Sequence, residues 1–300
     1  MLATAHAWYY ADRTGRDLEI CWAPSLFLTD KSKNLFGNIF DIPDKIGNVK
    51  IIYHDHIGVF KRLARRLPVF PFKYLFRTLL IELAIKFLRK RIPDFIIKAR
   101  TKSYIFLVDL IQNGKDVKKK TVIFNSDFNF LDKEEIKPFF DSLKLKHEYK
   151  ERVDQFIEQN FKNKFVIGTH VRYYDKSLPV CDYTKYWIEP EKSLEILRGR
   201  LEEIISKING TDYVVYLATN SYMVNDYIKN HVKNVVTFNK DFAKIKVNWS
   251  LHHILNEDSL KNDIIEMYLL ARCNILFRFP SAYSWFSYFG SLYADEVINE

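Results

Sequence analysis

The chain has 300 residues, of which 48% are hydrophobic and 16% aromatic, and its formal net charge is +9. This apolar content can fill the cores of one large or two ordinary domains, and it excludes an intrinsically disordered chain. The three cysteines, Cys21, Cys181 and Cys273, form no C-x-x-C pair and leave one thiol over in any disulfide scheme, which favours a reducing compartment.

The first half of the sequence combines one helix with short strands. Residues 1–12 have helical character that Gly15 ends, and strands are predicted at 18–22, 49–53 and 122–125. The sequence does not open with a charged start, an apolar core and a cleavage site, so we expect a cytoplasmic protein.

The excess positive charge lies in residues 59–100. This segment contains twelve Lys or Arg residues and two acidic residues, a net charge of +10. Its centre, residues 74–88, has a helical apolar pattern interrupted by Arg77, Glu82 and Lys86, and it is too short and too charged to span a bilayer. The pattern predicts a basic amphipathic helix inserted into the first domain.

The second half of the sequence alternates strands with helices. Strands are predicted at 165–171, 214–219, 235–238 and 274–277, and helices around 147–160, 190–208, 221–231 and 259–272. Such alternation predicts an α/β fold with a parallel sheet wrapped by helices. We place the boundary near residue 145, which divides the chain into domains 1–145 and 146–300.

Polar side chains follow three of the strands predicted in the second half. They are His170, Arg172 and Asp175 after the first strand, Thr219 and Asn220 after the second, and Arg278, Ser281 and Ser284 after the fourth. Ligands of open parallel sheets bind beyond the carboxyl ends of strands, and an arginine there suits a phosphate because its guanidinium stays charged and offers paired donors. Taken singly, these residues also fit an ordinary surface or a turn. Together, the three strand ends predict a nucleotide or phosphate pocket.

Motifs of several other enzyme classes are missing from the sequence. It contains no G-x-x-x-x-G-K-[ST], G-x-S-x-G, G-x-G-x-x-G or H-E-x-x-H motif. It also contains no D-x-D pair that could hold a metal ion on a diphosphate, and the adjacent His252 and His253 lack the usual spacing of metal ligands. The sequence therefore predicts no metal site.

Five stretches of the sequence carry a resemblance to a known family. They are A-T-A-H-A-W-Y-Y-A-D-R-T-G-R-D-L near the start, I-G-T-H-V-R-Y-Y-D-K and T-K-Y-W-I-E-P-E in the middle, Y-L-A-T-N-S after them, and I-I-E-M-Y-L-L-A-R-C-N-I-L-F-R-F-P-S near the end. In these motifs and their order, the chain resembles the nodulation-type fucosyltransferases, relatives of the eukaryotic α-1,6-fucosyltransferases. The resemblance covers most of the chain and is poorest over residues 58–115.

The resemblance implies an enzyme, a metal-independent and inverting glycosyltransferase that moves fucose or a related sugar from GDP-fucose to a glycan without a cofactor. Its fold would be GT-B-like, with two Rossmann-like domains facing each other across a cleft; residues 1–145 would bind the acceptor and 146–300 the nucleotide sugar. Arg172 falls on the family's arginine at the donor diphosphate, where it would stabilise the negative charge that grows on GDP. The residues expected to bind the donor are His170, Arg172, Tyr173, Asp175, Thr219, Asn220, Glu266, Tyr268, Arg278, Ser281 and Ser284.

The sequence departs from the family pattern in several places. Tyr173 stands where the family has a second basic residue, so a hydroxyl replaces one donor to phosphate. Asn220 and Glu266 both stand where the family has an aspartate. The strand and glycine-rich loop that precede the first helix in the family are not found, so the first domain is expected to lack its first strand. These departures keep open a non-catalytic relative that binds a glycan or a nucleotide, or a truncated and inactive chain.

Residues 59–100 allow three interpretations. Their charge and apolar core suit contact with the anionic inner face of a membrane, where a lipid-linked glycan would be presented. Alternatively, the helix covers the sheet of the first domain and its charges are solvated. Nucleic-acid binding is disfavoured, because the charges flank a strongly apolar helix.

Overall fold

The computed structural model describes residues 1–20, 34–55, 95–98, 122–125, 131–171, 190–208, 210–239, 257–279 and 285–299. The chain divides into two units, Met1–Lys146 and His147–Glu300. Within the described stretches, no helix is both long enough and apolar enough to cross a membrane.

The first unit combines short helices with small sheets. Its described elements are α1 (Leu2–Thr14), β1 (Leu18–Ile20), α2 (Phe36–Ile39), β2 (Phe40–Asp41), β3 (Lys45–Ile46), β4 (Val49–Tyr53), β5 (Phe95–Lys98), β6 (Val122–Asn125), α3 (Lys133–Ser142) and β7 (Lys144–Leu145). Strand β4 pairs with β1 in parallel and with β3 in antiparallel orientation. Strands β2 and β7 form an antiparallel pair, and β5 and β6 a parallel pair.

Helix α1, predicted from the sequence, is confirmed and is anchored within the first unit. It ends because Gly15 adopts the left-handed conformation, with φ 65°. Trp8 Nε1 donates a hydrogen bond to the carbonyl oxygen of Ile46 on β3 over 3.0 Å. The hydroxyl of Tyr9 donates to Glu135 on α3, and burial together with this bond raises the pKa of Tyr9 to about 12. The helix therefore contacts both a sheet and a second helix.

Strand β5 was not predicted from the sequence. It comes from the end of residues 59–100, which the sequence analysis assigned to a helical insertion. Residues Phe95–Lys98 instead pair in register with Val122–Asn125 of β6. The two central isoleucines of β5 favour a strand because β-branched side chains pack well on a pleated surface. The helix predicted at 74–88 lies outside the described residues.

The second unit contains a parallel sheet with helices between its strands. Its described elements are α4 (His147–Asn160), β8 (Phe165–Val171), α5 (Pro190–Lys207), β9 (Tyr213–Thr219), α6 (Tyr222–His231), β10 (Val235–Val236), α7 (Glu257–Leu270), β11 (Ile275–Arg278), α8 (Trp285–Ser291) and β12 (Glu296–Asn299). The strand order is β10-β9-β8-β11-β12, and every neighbouring pair is parallel. The parallel sheet predicted for this half is confirmed.

Alternate side chains of this sheet enter two separate cores. On the first face, the sheet packs with α5 and α6 through a cluster that includes Ile167, Val171, Leu197, Leu201, Val215, Leu217, Val224, Ile228 and Phe277. On the second face, the ring of Tyr216 packs edge-on against Phe156 and Phe161, with ring centroids 5.6 and 5.5 Å apart. Gly168 lies on this face against Cys273, and a Cβ atom on Gly168 would overlap the Sγ atom of Cys273. Helices thus cover both faces, as in a doubly wound Rossmann-like domain.

Candidate functional site

The sheet of the second unit brings several predicted site residues to one edge. Because its strands are parallel, the carboxyl ends of β8, β9 and β11 meet at that edge. The strand order reverses between β8 and β11: β9 and β10 extend the sheet in one direction, whereas β11 and β12 extend it in the other. A crevice at such a reversal is the usual ligand site of an open α/β sheet. The ends of β8 and β11 therefore form the candidate site.

His170 and Arg278 lie side by side at this reversal. They are register partners on β8 and β11, and on its other side His170 is paired with Ala218 of β9. Residues two apart on a strand share a face, so His170 and Arg278 lie on the same face as Gly168 and Leu276. Both side chains are partly exposed. An imidazole and a guanidinium at adjacent strand ends offer N–H donors suited to a phosphate.

The guanidinium of Arg278 also has a partner on its far side. Its Nη1 donates a hydrogen bond to Oδ1 of Asn299 over 3.4 Å, and its Nε is buried. Asn299 is the register partner of Arg278 on β12, so it faces the same side of the sheet. Asn299 is not recognisable from the sequence because β12, with the sequence E-V-I-N, is too short and too polar to be recognised as a strand.

The turn between β9 and α6 is built from buried hydroxyls. Thr219 is 2% exposed, and its Oγ1 accepts a hydrogen bond from the backbone N–H of Ser221 over 3.2 Å. Ser221 is the N-cap of α6, where its Oγ accepts from the N–H of Val224 over 3.4 Å. Asn220 lies between them and is exposed. The two hydroxyls thus shape the turn that holds Asn220 at the edge. The N-cap role of Ser221 was readable from the sequence, since a serine directly precedes a helical pattern.

Glu266 and Tyr268 lie on α7, on the second face of the sheet. Glu266 is 4% exposed and lies close enough to Tyr216 to raise the pKa of its phenol, although burial is the larger cause of that rise. Tyr216 lies two residues before Ala218, the register partner of His170. Glu266, which lies near Tyr216, is therefore set back from the carboxyl edge. The ring of Tyr268 packs on Phe289 with centroids 5.1 Å apart, and burial raises its pKa. These two residues support the second face behind His170 and Arg278.

Five of the predicted site residues lie outside the described residues. They are Arg172, Tyr173, Asp175, Ser281 and Ser284. In sequence, Arg172 directly follows the last residue of β8, and Ser281 comes three residues after the last residue of β11. In the part of the chain that the structure describes, no group of three or more His, Cys, Asp or Glu side chains could hold a metal ion.

Comparisons with known proteins agree with the motifs and the fold. A family model described as Nodulation protein Z (NodZ) matches residues 1–300. Nodulation protein Z of Bradyrhizobium diazoefficiens is 27% identical over 300 residues, which covers 98% of this chain and 75% of that protein.

Two solved structures share the fold. A NodZ alpha-1,6-fucosyltransferase soaked with GDP-fucose matches with a TM-score of 0.68 at 22% identity, covering 99% of this chain and 88% of that one. POFUT1 in complex with GDP-fucose matches with a TM-score of 0.52 at 11% identity, covering 99% and 93%. The GT-B-like α/β fold class implied by the resemblance is confirmed. Because the family model spans the whole chain, this protein belongs to the Nodulation protein Z family.

Proposed function

We propose that this protein is a fucosyltransferase that moves the fucosyl group from GDP-fucose to a glycan acceptor, with inversion and without a metal ion. The observation that carries the proposal is the reversal of strand order between β8 and β11, with His170 and Arg278 on either side of it. Arg172 directly follows the last residue of β8 in sequence. Membership of the Nodulation protein Z family supports it, because structures of a NodZ alpha-1,6-fucosyltransferase were obtained with GDP-fucose and with GDP.

The proposed reaction transfers charge to the nucleotide. An acceptor hydroxyl oxygen forms a bond to the anomeric carbon of fucose on the face opposite GDP. The bond between that carbon and the β-phosphate oxygen breaks, its electron pair stays on GDP, and the acceptor hydroxyl passes its proton to water. Arg172 and Arg278 stabilise the growing negative charge, and because this charge is larger in the transition state than in the bound substrate, they accelerate the reaction rather than merely binding the donor.

The proposed division of labour follows the two halves of the chain. Residues 146–300 bind the donor, and residues 1–145 bind the acceptor glycan. The donor-binding set comprises His170, Arg172, Tyr173, Asp175, Thr219, Asn220, Glu266, Tyr268, Arg278, Ser281 and Ser284. In this set Thr219 acts through the turn that positions Asn220, and Glu266 acts from behind the edge.

One assay tests the proposal and its alternative together. The full-length chain is incubated with GDP-fucose, GDP-mannose and GDP-glucose, with and without EDTA, and release of GDP is measured in the presence of a panel of oligosaccharide acceptors. We expect turnover with GDP-fucose that EDTA leaves unchanged. Binding of GDP-fucose without turnover would favour a non-catalytic relative, and activity that EDTA abolishes and Mn²⁺ restores would contradict the metal-free mechanism.

We further propose that the protein is cytoplasmic and that residues 59–100 bring it to the inner face of the membrane, where a lipid-linked glycan serves as acceptor. The net charge of +10 on this segment supports the proposal, since each Lys or Arg near an anionic leaflet contributes ~1 kcal/mol. We expect co-sedimentation with anionic vesicles that added salt weakens. Equal binding to neutral and anionic vesicles, or no binding to either at low salt, would favour a helix that only covers the first domain.

A further inference from the structure

We infer that Asn299 on β12 is a positioning residue, which holds the guanidinium of Arg278 ready for the donor diphosphate and thereby sets donor affinity. This inference rests on the proposed function, because it assigns the anion at the strand reversal to GDP. With Asn299, strand β12 at the side of the sheet joins a site that otherwise consists of the ends of more central strands.

The sheet fixes where Arg278 and Asn299 stand. Strand β11 lies between β8 and β12, and Arg278 is the register partner of both His170 and Asn299. Its neighbours in sequence, Phe277 and Phe279, are 1% and 0% exposed and belong to the core of the first face. Because these two phenylalanines anchor the strand on one face, the pleat directs Arg278 to the other face, alongside His170 and Asn299.

The hydrogen bond from Arg278 to Asn299 restricts a long side chain. Arg278 Nη1 lies 3.4 Å from Asn299 Oδ1, and the Nε atom of the same guanidinium is buried. An arginine loses much conformational freedom when it binds a ligand. A bond formed before the ligand arrives reduces that loss, so affinity is gained through preorganisation.

Arg278 supplies a positive charge at the strand reversal. Arg278 stands at the end of the neighbouring strand, on the other side of the reversal from β8. It therefore offers a second cation to a diphosphate bound at this edge.

The amide of Asn299 is chemically suited to orienting a cation without neutralising it. A carboxylate at the same position would accept the same hydrogen bond, but its negative charge would compete with phosphate for the guanidinium. The prediction is therefore specific: Asn299→Asp should weaken GDP binding more than Asn299→Ala, even though it preserves the bond.

Calorimetric titration of the full-length protein with GDP and with guanosine tests the inference. We expect Asn299→Ala to raise the Kd for GDP about twofold to fivefold, the range set by an exposed polar contact, and to leave the affinity for guanosine unchanged. Arg278→Ala should have a larger effect on GDP, and adding Asn299→Ala to it should change nothing further, because Asn299 acts through Arg278.

A matched control lies at the opposite edge of the same two strands. There the exposed Asp295 accepts a hydrogen bond from Asn274 Nδ2 over 3.1 Å, and Asp295→Ala removes this bond between the segments that lead into β11 and β12. It should leave the Kd for GDP unchanged. A wild-type protein that does not bind GDP would overturn the proposed function and this inference together. Normal GDP binding that Asn299→Ala and Asn299→Asp do not alter, or an Asn299→Ala effect that persists in Arg278→Ala, would overturn the inference alone.

Discussion

The two edges of the five-stranded sheet use polar groups in opposite ways. At the amino edge, Asn274 Oδ1 accepts a hydrogen bond from the N–H of Val166 over 2.9 Å, and the N–H of Phe165 bonds to the carbonyl oxygen of Asp212 over 2.8 Å. Polar groups there join one strand to the next. At the carboxyl edge, His170 and Arg278 are partly exposed at the ends of their strands and face the same side.

This difference separates stability from function within one sheet. The connections that lead into β9 and β11 at the amino edge are short, residues 208–212 and 271–274. Hydrogen bonds from these segments to β8 hold the beginnings of neighbouring strands together. Ligands of open α/β sheets bind beyond the carboxyl ends of the strands, so polar residues there are available for a ligand. Substitutions at the carboxyl edge should therefore change catalysis and leave stability unchanged, and those at the amino edge should do the reverse.

The largest effect is expected at the carboxyl edge, for Arg172→Ala. Removing a charge from the position where negative charge develops on GDP should cost ~3 kcal/mol or more of transition-state stabilisation, about a hundredfold in rate. The measurement is kcat/KM for GDP-fucose, together with the melting temperature, which should not change.

A matched control for Arg172 stands at the amino edge. Arg272 is exposed and lies between α7 and β11, so Arg272→Ala removes the same charge from the same unit. It should retain wild-type kcat/KM. Near wild-type turnover in Arg172→Ala, or an equal loss in both variants, would show that the charge at the strand reversal has no special role.

The strands of this sheet could largely be read from the sequence. The strands predicted at 165–171 and 49–53 are confirmed as β8 and β4 with the same bounds, because β-branched and aromatic residues predominate in each. Strand β10 pairs over only Val235–Val236, shorter than the predicted 235–238. The short pairs β2–β7 and β11–β12 were not foreseen, because a pairing of two to four residues is decided by its neighbours and not by local preference.

Two residues of the candidate site, His170 and Arg278, could be read from the sequence, but their arrangement could not. Strand ends identified His170 and Arg278, but 108 positions separate them in sequence, and no periodicity states that β8 and β11 are neighbours. The reversal of strand order between them is visible only in the fold. Asn299 was missed for the same reason, since its contact with Arg278 exists only because β12 pairs with β11.

A second prediction concerns the middle of the sheet, where no polar residue of the site lies. Gly168→Ala would bring a Cβ atom to 3.0 Å from the Cβ of Cys273 and into overlap with its Sγ, so the turn that carries Cys273, between α7 and β11, must move away from β8. We expect the free energy of unfolding to fall by about 1–3 kcal/mol. Denaturation by urea measures this, and Gly168→Ala combined with Cys273→Ala should recover part of the loss because the overlapping sulfur is gone. Strictly additive effects of the two substitutions would show that Gly168 and Cys273 do not meet as described.

The smallest effect that still distinguishes the edges is expected for Asn274→Ala. The side chain of Asn274 continues the ladder of β11 by one residue, since its Oδ1 accepts from the N–H of Val166 and its backbone N–H donates to the carbonyl oxygen of Val166, each over 2.9 Å. Val166 is 3% exposed, so the substitution leaves a buried N–H without its acceptor, which costs about 1–2 kcal/mol of unfolding free energy.

Asp295→Ala removes only the exposed bond to Asn274 and should cost less than about 1 kcal/mol. Both variants should bind GDP as the wild type does, because the amino edge lies a full strand length from the candidate site at the carboxyl edge. If Asn274→Ala weakened GDP binding as much as Arg278→Ala while remaining stable, the division of the sheet into a structural and a functional edge would be wrong.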